Sequence, residues 1–505
     1  MVPKELFRLT FPVILAICVY WISLSTGFQS DDFHLVDRID REGFFASWGG
    51  PDGDLFLRPG TVLSLMADRA VWGGREAGFH ATNLLLHVAA SLLVYALARR
   101  VFECAGLRAP ESAACLAACL FAVLPCHSES VCWVSGRTDL LAAVLGLGAT
   151  LMMMRGRTLA ALLLWLAGVL CKESLATVPA AWALIPASRP GRGRGNLAGR
   201  LALLAIPAAY AGFRMLVSPG VMDGPGGGGM LAGPDWSPGE NLFRFVVRAF
   251  LPPLPSGLLP ALSSFPPALA LAAALPLVIL AAILFVRRKP APALSRTVAA
   301  LCVGFLVLLL PVMGMKVALF DTQSERLLYI PGIPLLLASI LILVSLAGEG
   351  RTARAVLLAA VAGGLVSTLH LSAGWARAGR LCDSLTADIL AQGGGRDVVI
   401  LNIPDNLNGA YVFRNGLNEA VRMAGGSGRC EILSTHSISS VEDRIAVDAD
   451  PGSVRLGIPP GERFCAMGGI AMVEDTGETV IDTGLEEGKM LFYSDGSLRP
   501  AFGIR

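Results

Sequence analysis

Two adjacent carboxylates, Asp31 and Asp32, stand in Ser30-Asp31-Asp32-Phe33-His34, just past the first apolar run of the chain. Two anions beside a hydrocarbon layer are costly unless they pair, bind something or face water. Such groups can take a proton from an attacking hydroxyl, or anchor a divalent cation when further oxygen ligands are at hand. Further on, His80, Asn83 and His87 fall at i, i+3 and i+7, on one face of a helix. Lipid would leave that face unsatisfied, so it must look into a bundle or a wet cavity. The stripe reads as an interhelical hydrogen-bond seam before it reads as a ligand set. His127, Glu129, Trp133, Arg137 and Asp139 then crowd into thirteen residues between two apolar runs. A guanidinium there suits a phosphate, which it grips with two parallel bonds. An internal Glu129–Arg137 or Arg137–Asp139 pair is the alternative, and the two are compatible. Lys172 and Glu173 end one short apolar run. At that depth a lysine needs a partner, either Glu173 or an anionic lipid phosphate. Glu325-Arg326, with Asp321 and Tyr329, forms a comparable cluster.

The elements that must position these groups are mostly membrane helices. Of the 505 residues 54% are hydrophobic and 16% charged, with a mean hydropathy of +0.61. That is too apolar for a soluble globular chain. No basic face with interleaved aromatics is present, which argues against nucleic acid. The eleven cysteines include no CxxC pair, so a zinc or redox motif is disfavoured. Most lie in apolar runs; Cys382, Cys430 and Cys465 lie in the polar tail, where one disulfide is possible.

About eleven spans are expected, near 11–27, 81–98, 111–125, 139–154, 158–171, 174–187, 200–217, 264–286, 297–315, 327–348 and 353–372. Ser25-Thr26-Gly27 could pass for a signal-peptidase site, but a retained anchor is expected. Alternate loops collect the arginines, which makes them cytoplasmic, with the N-terminus inside and the C-terminal domain outside. The runs at 139–154 and 158–171 are short for a crossing, so recessed or re-entrant segments are expected there. In the first outer loop (28–79), Phe44, Phe45 and Trp48 suit an interfacial helix, and the Gly/Pro-rich 218–240 reads as an outer loop.

The division expected is a transmembrane catalytic domain over 1–375 and a small extracytoplasmic α/β domain over 376–505. In the latter, strand-like runs occur at 398–403, 430–434, 454–458, 464–466 and 479–482, with a helical stretch near 411–424. Leu401 to Asp405, followed by Asn408 to Tyr411, has a strand–turn–helix look whose polar turn residues could face an acceptor, although ordinary turn chemistry is the simpler reading. No tetratricopeptide period shows.

The ordered set Leu57-Arg58-Pro59, Trp72-Gly73, Phe79-His80, Asn83, His87, Pro125, His127, Glu129, Trp133 to Leu141, Lys172-Glu173-Ser174 and Ser324-Glu325-Arg326-Leu327-Leu328-Tyr329-Ile330-Pro331 resembles the membrane half of the transmembrane-and-tetratricopeptide-repeat O-mannosyltransferases and their bacterial relatives. These are GT-C glycosyltransferases. The resemblance implies a GT-C-like α-helical polytopic enzyme that takes a sugar, possibly mannose, from a polyprenyl-phosphate carrier, with Asp31-Asp32 at the place of the family's acidic motif.

On that reading one of Asp31 and Asp32, with Asp31 slightly preferred, accepts a proton from an acceptor hydroxyl on a glycan, protein or lipid. A carboxylate is a weak base, so the proton moves late. The departing phosphate needs positive charge, for which Arg137 is the first candidate, with Lys172 and Arg326. His80, Asn83, His87, His127, Glu129, Asp139, Glu173, Glu325 and Tyr329 are the supporting polar groups. The resemblance implies inversion and, in some relatives, a divalent cation, for which the sequence offers no third ligand. The setting expected is a bacterial cytoplasmic membrane. A polyprenyl-lipid transporter, or a membrane sensor whose exported tail binds a ligand, is the alternative. Charges gathered on one face without an inverted repeat favour the enzyme.

Overall fold

A computed structural model describes residues 4–44, 58–183, 197–217, 238–254, 290–393, 395–432, 434–441, 446–450, 453–457, 464–466, 472–473, 479–482 and 490–500. Phe45 and Trp48 of the expected interfacial helix, residues 218–237 of the Gly/Pro-rich loop and the expected span at 264–286 lie outside these.

The chain is mostly helical. In order come α1 (Lys4–Tyr20), α2 (Asp31–Glu42), α3 (Pro59–Trp72), α4 (Glu76–Ala105), α5 (Pro110–Ala122), α6 (Ser128–Cys132), α7 (Arg137–Met154), α8 (Thr158–Val169), α9 (Val178–Trp182), α10 (Leu197–Val217), α11 (Pro238–Phe250), α12 (Pro292–Leu309), α13 (Gly332–Ala347), α14 (Arg351–Gly393) and, in the tail, α15 (Leu417–Met423). Among the described residues five helices are long and apolar enough to cross a membrane. A sixth crossing arises if α5 and the segment Pro125–Cys132, bent by 58°, count as one. The bend has a local cause: Pro125 lacks an N–H and pushes Leu124 out of the helical region, to φ −66° and ψ 126°. The helix α8, with twelve residues, stays short of a full crossing.

Within α4 the inward face carries His80, Asn83, His87, Ser91, Val94, Ala98 and Phe102, so one stripe changes from polar to apolar along its length. The last apolar run does not stop at 372 as the hydropathy suggests. The helix α14 continues through Trp375, Arg377, Arg380 and Asp383 and ends only at the glycine run beginning with Gly393.

The tail holds three small sheets. One has the order β12-β11-β1-β4, with β1 (Val398–Ile400) parallel to both β4 (Cys430–Ile432) and β11 (Met490–Ser494), and β12 (Ser497–Pro500) closing a hairpin. Another has the order β3-β2-β5-β8-β9, in which β2 (Ile403–Leu407) pairs with β3 (Ala410–Tyr411) and β5 (Ser434–Ile438), and β8 (Phe464–Ala466) joins β5 to β9 (Met472–Val473). In the third, β7 (Ser453–Gly457) lies antiparallel between β6 (Ala446–Asp450) and β10 (Thr479–Asp482). The expected helix over 411–424 is shorter at its start, because Tyr411 is in a strand and Gly416 turns the chain with a φ of 80° before α15. Cys382 and Cys430 are free buried thiols. One apolar core runs without interruption from the membrane helices (Val94, Phe121, Leu337) to the tail (Ile400, Phe413, Tyr493).

Candidate active site

Ser30 turns the chain into α2 with a φ of 48°, a costly conformation for a residue with a Cβ. The tail holds it there. Ser30 N–H donates to the Val412 carbonyl at 3.0 Å, and Ser30 Oγ to Asn415 Oδ1 at 2.7 Å. This turn separates the two carboxylates that follow. Asp32 points inward and is buried; its Oδ1 accepts from Ser135 N–H (2.8 Å) and Ser135 Oγ (2.6 Å), its Oδ2 from Gln29 N–H (3.1 Å). Burial pushes its carboxyl up to about 7 against the pull of those three bonds. Asp31 is partly exposed, and among the described residues its carboxylate has no hydrogen-bond or ion-pair partner. Asp32 therefore ties the first turn of α2 to the 134–136 turn, and Asp31 is the carboxylate left open.

The arginine placed first by the sequence is enclosed. Arg137 is fully buried and gives its donors to Asp68 (2.5 Å), Asn83 Oδ1 (2.9 Å), the Phe79 carbonyl (2.8 Å) and Ser64. Neither expected pair, Glu129–Arg137 or Arg137–Asp139, forms. Asp139 pairs with Lys172 instead, and Glu129 with Arg326 at 3.5 Å. Lys172 is not neutralised by Glu173, which takes both hydrogen bonds of a fork from Arg58 at 2.6 and 3.0 Å. Burial draws the Lys172 ammonium below its ordinary value, with Asp139 opposing.

Arg326 is the cation that stays open. Its side chain is 29% exposed, lies 4.8 Å over the Trp133 ring and makes only the loose contact with Glu129. Burial would lower its pKa, but the field of Glu129, Tyr411, Asp139 and Asp31 raises it overall.

The remaining predicted groups form the walls. Glu325 is buried, pairs with Arg248 and accepts from Ser128 Oγ and the Glu129 N–H. His87 bridges Tyr329 OH (2.7 Å) and the Ala122 carbonyl (3.1 Å), and His127 Nδ1 meets the Phe121 carbonyl. Asn83 Nδ2 donates to the Trp133 carbonyl at 2.9 Å, and His80 lies 3.4 Å from the Gly27 carbonyl. The stripe on α4 is thus a seam between helices. Gly136 is required where the 134–136 turn folds back on α6, since a Cβ there would lie 2.6 Å from the Ser130 carbonyl oxygen.

An apolar groove opens between α4, α7, α9, α12 and α13. It starts at Leu175 and Ile330, in the turns that follow Lys172 and Arg326, and reaches Cys104 and Met154 at the far ends of α4 and α7. A divalent cation does not fit the acidic pair as arranged. Asp32 has committed both oxygens to hydrogen bonds, and no group of three His, Cys, Asp or Glu converges among the described residues.

Asp68, Ser135, Arg58 and Arg248 were not singled out as site residues by the sequence. Asp68 had a signal: Thr61, Leu65 and Asp68 share one inward face of α3. Tyr411 had none beyond its turn; its hydroxyl donates to Glu129 Oε1 at 2.8 Å.

In class this is a multi-helix membrane protein with a cluster of buried ion pairs in the turns between its helices and an apolar groove beginning at two of those turns. Over 198 residues, 34% of this chain, the sequence is 32% identical to the protein O-mannosyl-transferase Tmtc1 of Drosophila melanogaster. Over 210 residues, 36% of the chain, it is 33% identical to Tmtc2 of the same organism, and over 147 residues, 26% of the chain, 38% identical to human TMTC1. The motifs had indicated this resemblance. The matches cover 22% of each Drosophila protein and 16% of the human one, so the chain spans about a fifth or less of these relatives' length. No family model matches the chain. No solved structure matches it.

Proposed function

We propose that the chain is a GT-C-like membrane glycosyltransferase that moves a monosaccharide from a polyprenyl-phosphate carrier to an acceptor hydroxyl at the outer face of the membrane. The observation that carries this is one open carboxylate, Asp31, next to the Asp32 bound to Ser135, and one open guanidinium, Arg326, over Trp133 of the same turn, with an apolar groove beginning at Ile330. The polyprenyl chain lies in the groove, which begins beside Arg326 and Lys172, and its phosphate meets those two cations. The similarity to proteins named O-mannosyl-transferases supports mannose as the sugar and a protein hydroxyl as acceptor.

In the reaction the acceptor oxygen attacks the anomeric carbon while the bond to the phosphate oxygen breaks. Asp31 takes the hydroxyl proton as the new bond forms. The polyprenyl phosphate leaves as an anion, and Arg326, nearest and most exposed, stabilises the charge that develops there, with Lys172 behind it. Arg137 acts through structure, by holding α3, α4 and α7 together. A single displacement inverts the anomeric centre. Eleven crossings, with the tail on the outer side, agree with the arginine-rich alternate loops; the Ser30–Val412 and Ser30–Asn415 bonds put the tail on the same side as Asp31.

The test is turnover. Full-length protein in nanodiscs, given labelled polyprenyl-phosphate mannose and a serine/threonine peptide, is expected to release polyprenyl phosphate and label the peptide. Asp31→Asn is expected to stop this and to fold as the wild type does. Undiminished turnover by Asp31→Asn would refute the assignment.

A further inference from the structure

We infer that the C-terminal part completes the cation site through Tyr411, a positioning residue for the Glu129–Arg326 pair; this rests on the reading of Arg326 as the phosphate partner. The Tyr411 ring is enclosed on three sides. Trp133 lies 4.7 Å away, Trp375 stands edge-on at 5.7 Å, and the Arg414 guanidinium covers it at 4.7 Å. With the ring fixed, its hydroxyl reaches Glu129 Oε1 at 2.8 Å. That same oxygen is 3.5 Å from Arg326 Nε, too far for a good hydrogen bond, while the other carboxylate oxygen accepts the backbone N–H of Arg326 at 2.9 Å.

Tyr411 thereby decides how tightly Glu129 pulls on Arg326. A carboxylate oxygen already served by a strong donor attracts a neighbouring guanidinium less. Without the hydroxyl, Arg326 becomes the nearest donor to a fully buried oxygen. The guanidinium then closes on Glu129 and turns from the space where a ligand phosphate would lie. The tail is anchored to do this. Val412 and Phe413 donate N–H bonds to Asp405 and Pro404, Phe413 stacks on Phe33 of α2 at 5.8 Å, and Ser30 bonds Val412 and Asn415. One short segment, 410–416, touches both the acid-bearing helix and the cation-bearing turn. On this inference the tail is a component of the cation site, and a detachable binding module is excluded.

Binding of a polyprenyl monophosphate to the full-length protein in nanodiscs tests this, with thermal unfolding measured in parallel. Tyr411→Phe keeps the ring and loses the donor; it is expected to weaken binding about tenfold, to raise KM for the donor more than it lowers kcat, and to add little in a Glu129→Gln background. Leu498→Ala, in β12 of the other sheet, destabilises the tail away from residues 410–416, and is expected to lower the unfolding temperature and keep wild-type affinity. Should Tyr411→Phe also be destabilised, comparison with Leu498→Ala at matched destabilisation carries the test. Wild-type affinity in folded Tyr411→Phe, or equal weakening by Leu498→Ala, would overturn the inference alone. Failure of the wild-type protein to bind polyprenyl phosphate would overturn it together with the donor reading.

Discussion

Arg137 and Arg326 are eleven residues short of two hundred apart in the chain, and their replacement is expected to fail in opposite ways. Arg137→Met leaves Asp68 buried without its counter-ion and strips Asn83 Oδ1 and the Phe79 carbonyl of a donor. Breaking a buried pair from one side costs about 3–5 kcal/mol, which corresponds to a fall in unfolding temperature on the order of 10 °C. Arg326→Gln removes a side chain that is 29% exposed and 3.5 Å from its partner, and Glu129 keeps the Tyr411 hydroxyl and a backbone N–H. Its effect on stability is about 1 kcal/mol or less. Its effect on kcat/KM is on the order of 10²- to 10³-fold, the cost of losing one group aimed at developing negative charge. The assay pairs thermal unfolding in detergent with donor turnover. Adding Asp68→Leu to Arg137→Met is expected to restore much of the lost stability, because two matched apolar groups leave no orphan charge. The reasoning is refuted if Arg137→Met unfolds at the wild-type temperature and loses more activity than Arg326→Gln.

Three further outcomes follow from the geometry. Asp32 has its carboxyl raised from 3.8 to about 7 by burial, so its contribution to stability is complete below about pH 4 and is lost as pH rises through about 7. At ~1.4 kcal/mol per pH unit that amounts to about 4 kcal/mol, and unfolding temperatures of wild type and Asp32→Asn from pH 4 to 8 are expected to converge or cross as pH rises. Parallel curves would show that Asp32 is not the group responsible. Gly416→Ala puts a Cβ 2.3 Å from the Ser30 carbonyl oxygen at a φ of 80°; limited proteolysis of the tail is expected to quicken and turnover to fall, and unchanged digestion would contradict the docking described. Asp139→Asn leaves the Lys172 ammonium buried with a weaker partner, so the variant is expected to lose stability by about 3 kcal/mol, read as a lowered unfolding temperature.

Much of the architecture was legible because hydropathy and breakers act locally. The polar stripe on α4 announces an inward face. The strands β1 and β4 stand out by their β-branched and apolar runs, although the runs expected at 398–403 and 430–434 reach into β2 and β5 of another sheet. Pairing was not legible. Which carboxylate meets Arg137 depends on where α3 lies against α4 and α7, and Asp68 sits in an ordinary-looking Ala-Asp-Arg-Ala stretch. Likewise nothing near Lys172 distinguishes Glu173, its neighbour in the chain, from Asp139, its neighbour in space. Tyr411 carries no period or motif, and only the sheet register and the Gly416 turn bring its hydroxyl to Glu129. The end of α14 was misjudged because hydropathy falls at 372 while the helix continues; between there and Gly393 the sequence has no proline, and the isolated Gly374 and Gly379 do not stop it.

The 43 unbroken residues of α14 have a consequence for biogenesis. At ~1.5 Å per residue the rod is about 64 Å long, roughly twice the hydrocarbon thickness. Its leading half belongs to the bilayer and its trailing half to the sheets, so the ribosome must finish and release both before β3 can form. Tyr411 therefore joins the site after its acids and its cations. On the proposed reading, a nascent chain that has not yet docked residues 410–416 would hold Arg326 against Glu129 and bind a lipid-linked phosphate weakly.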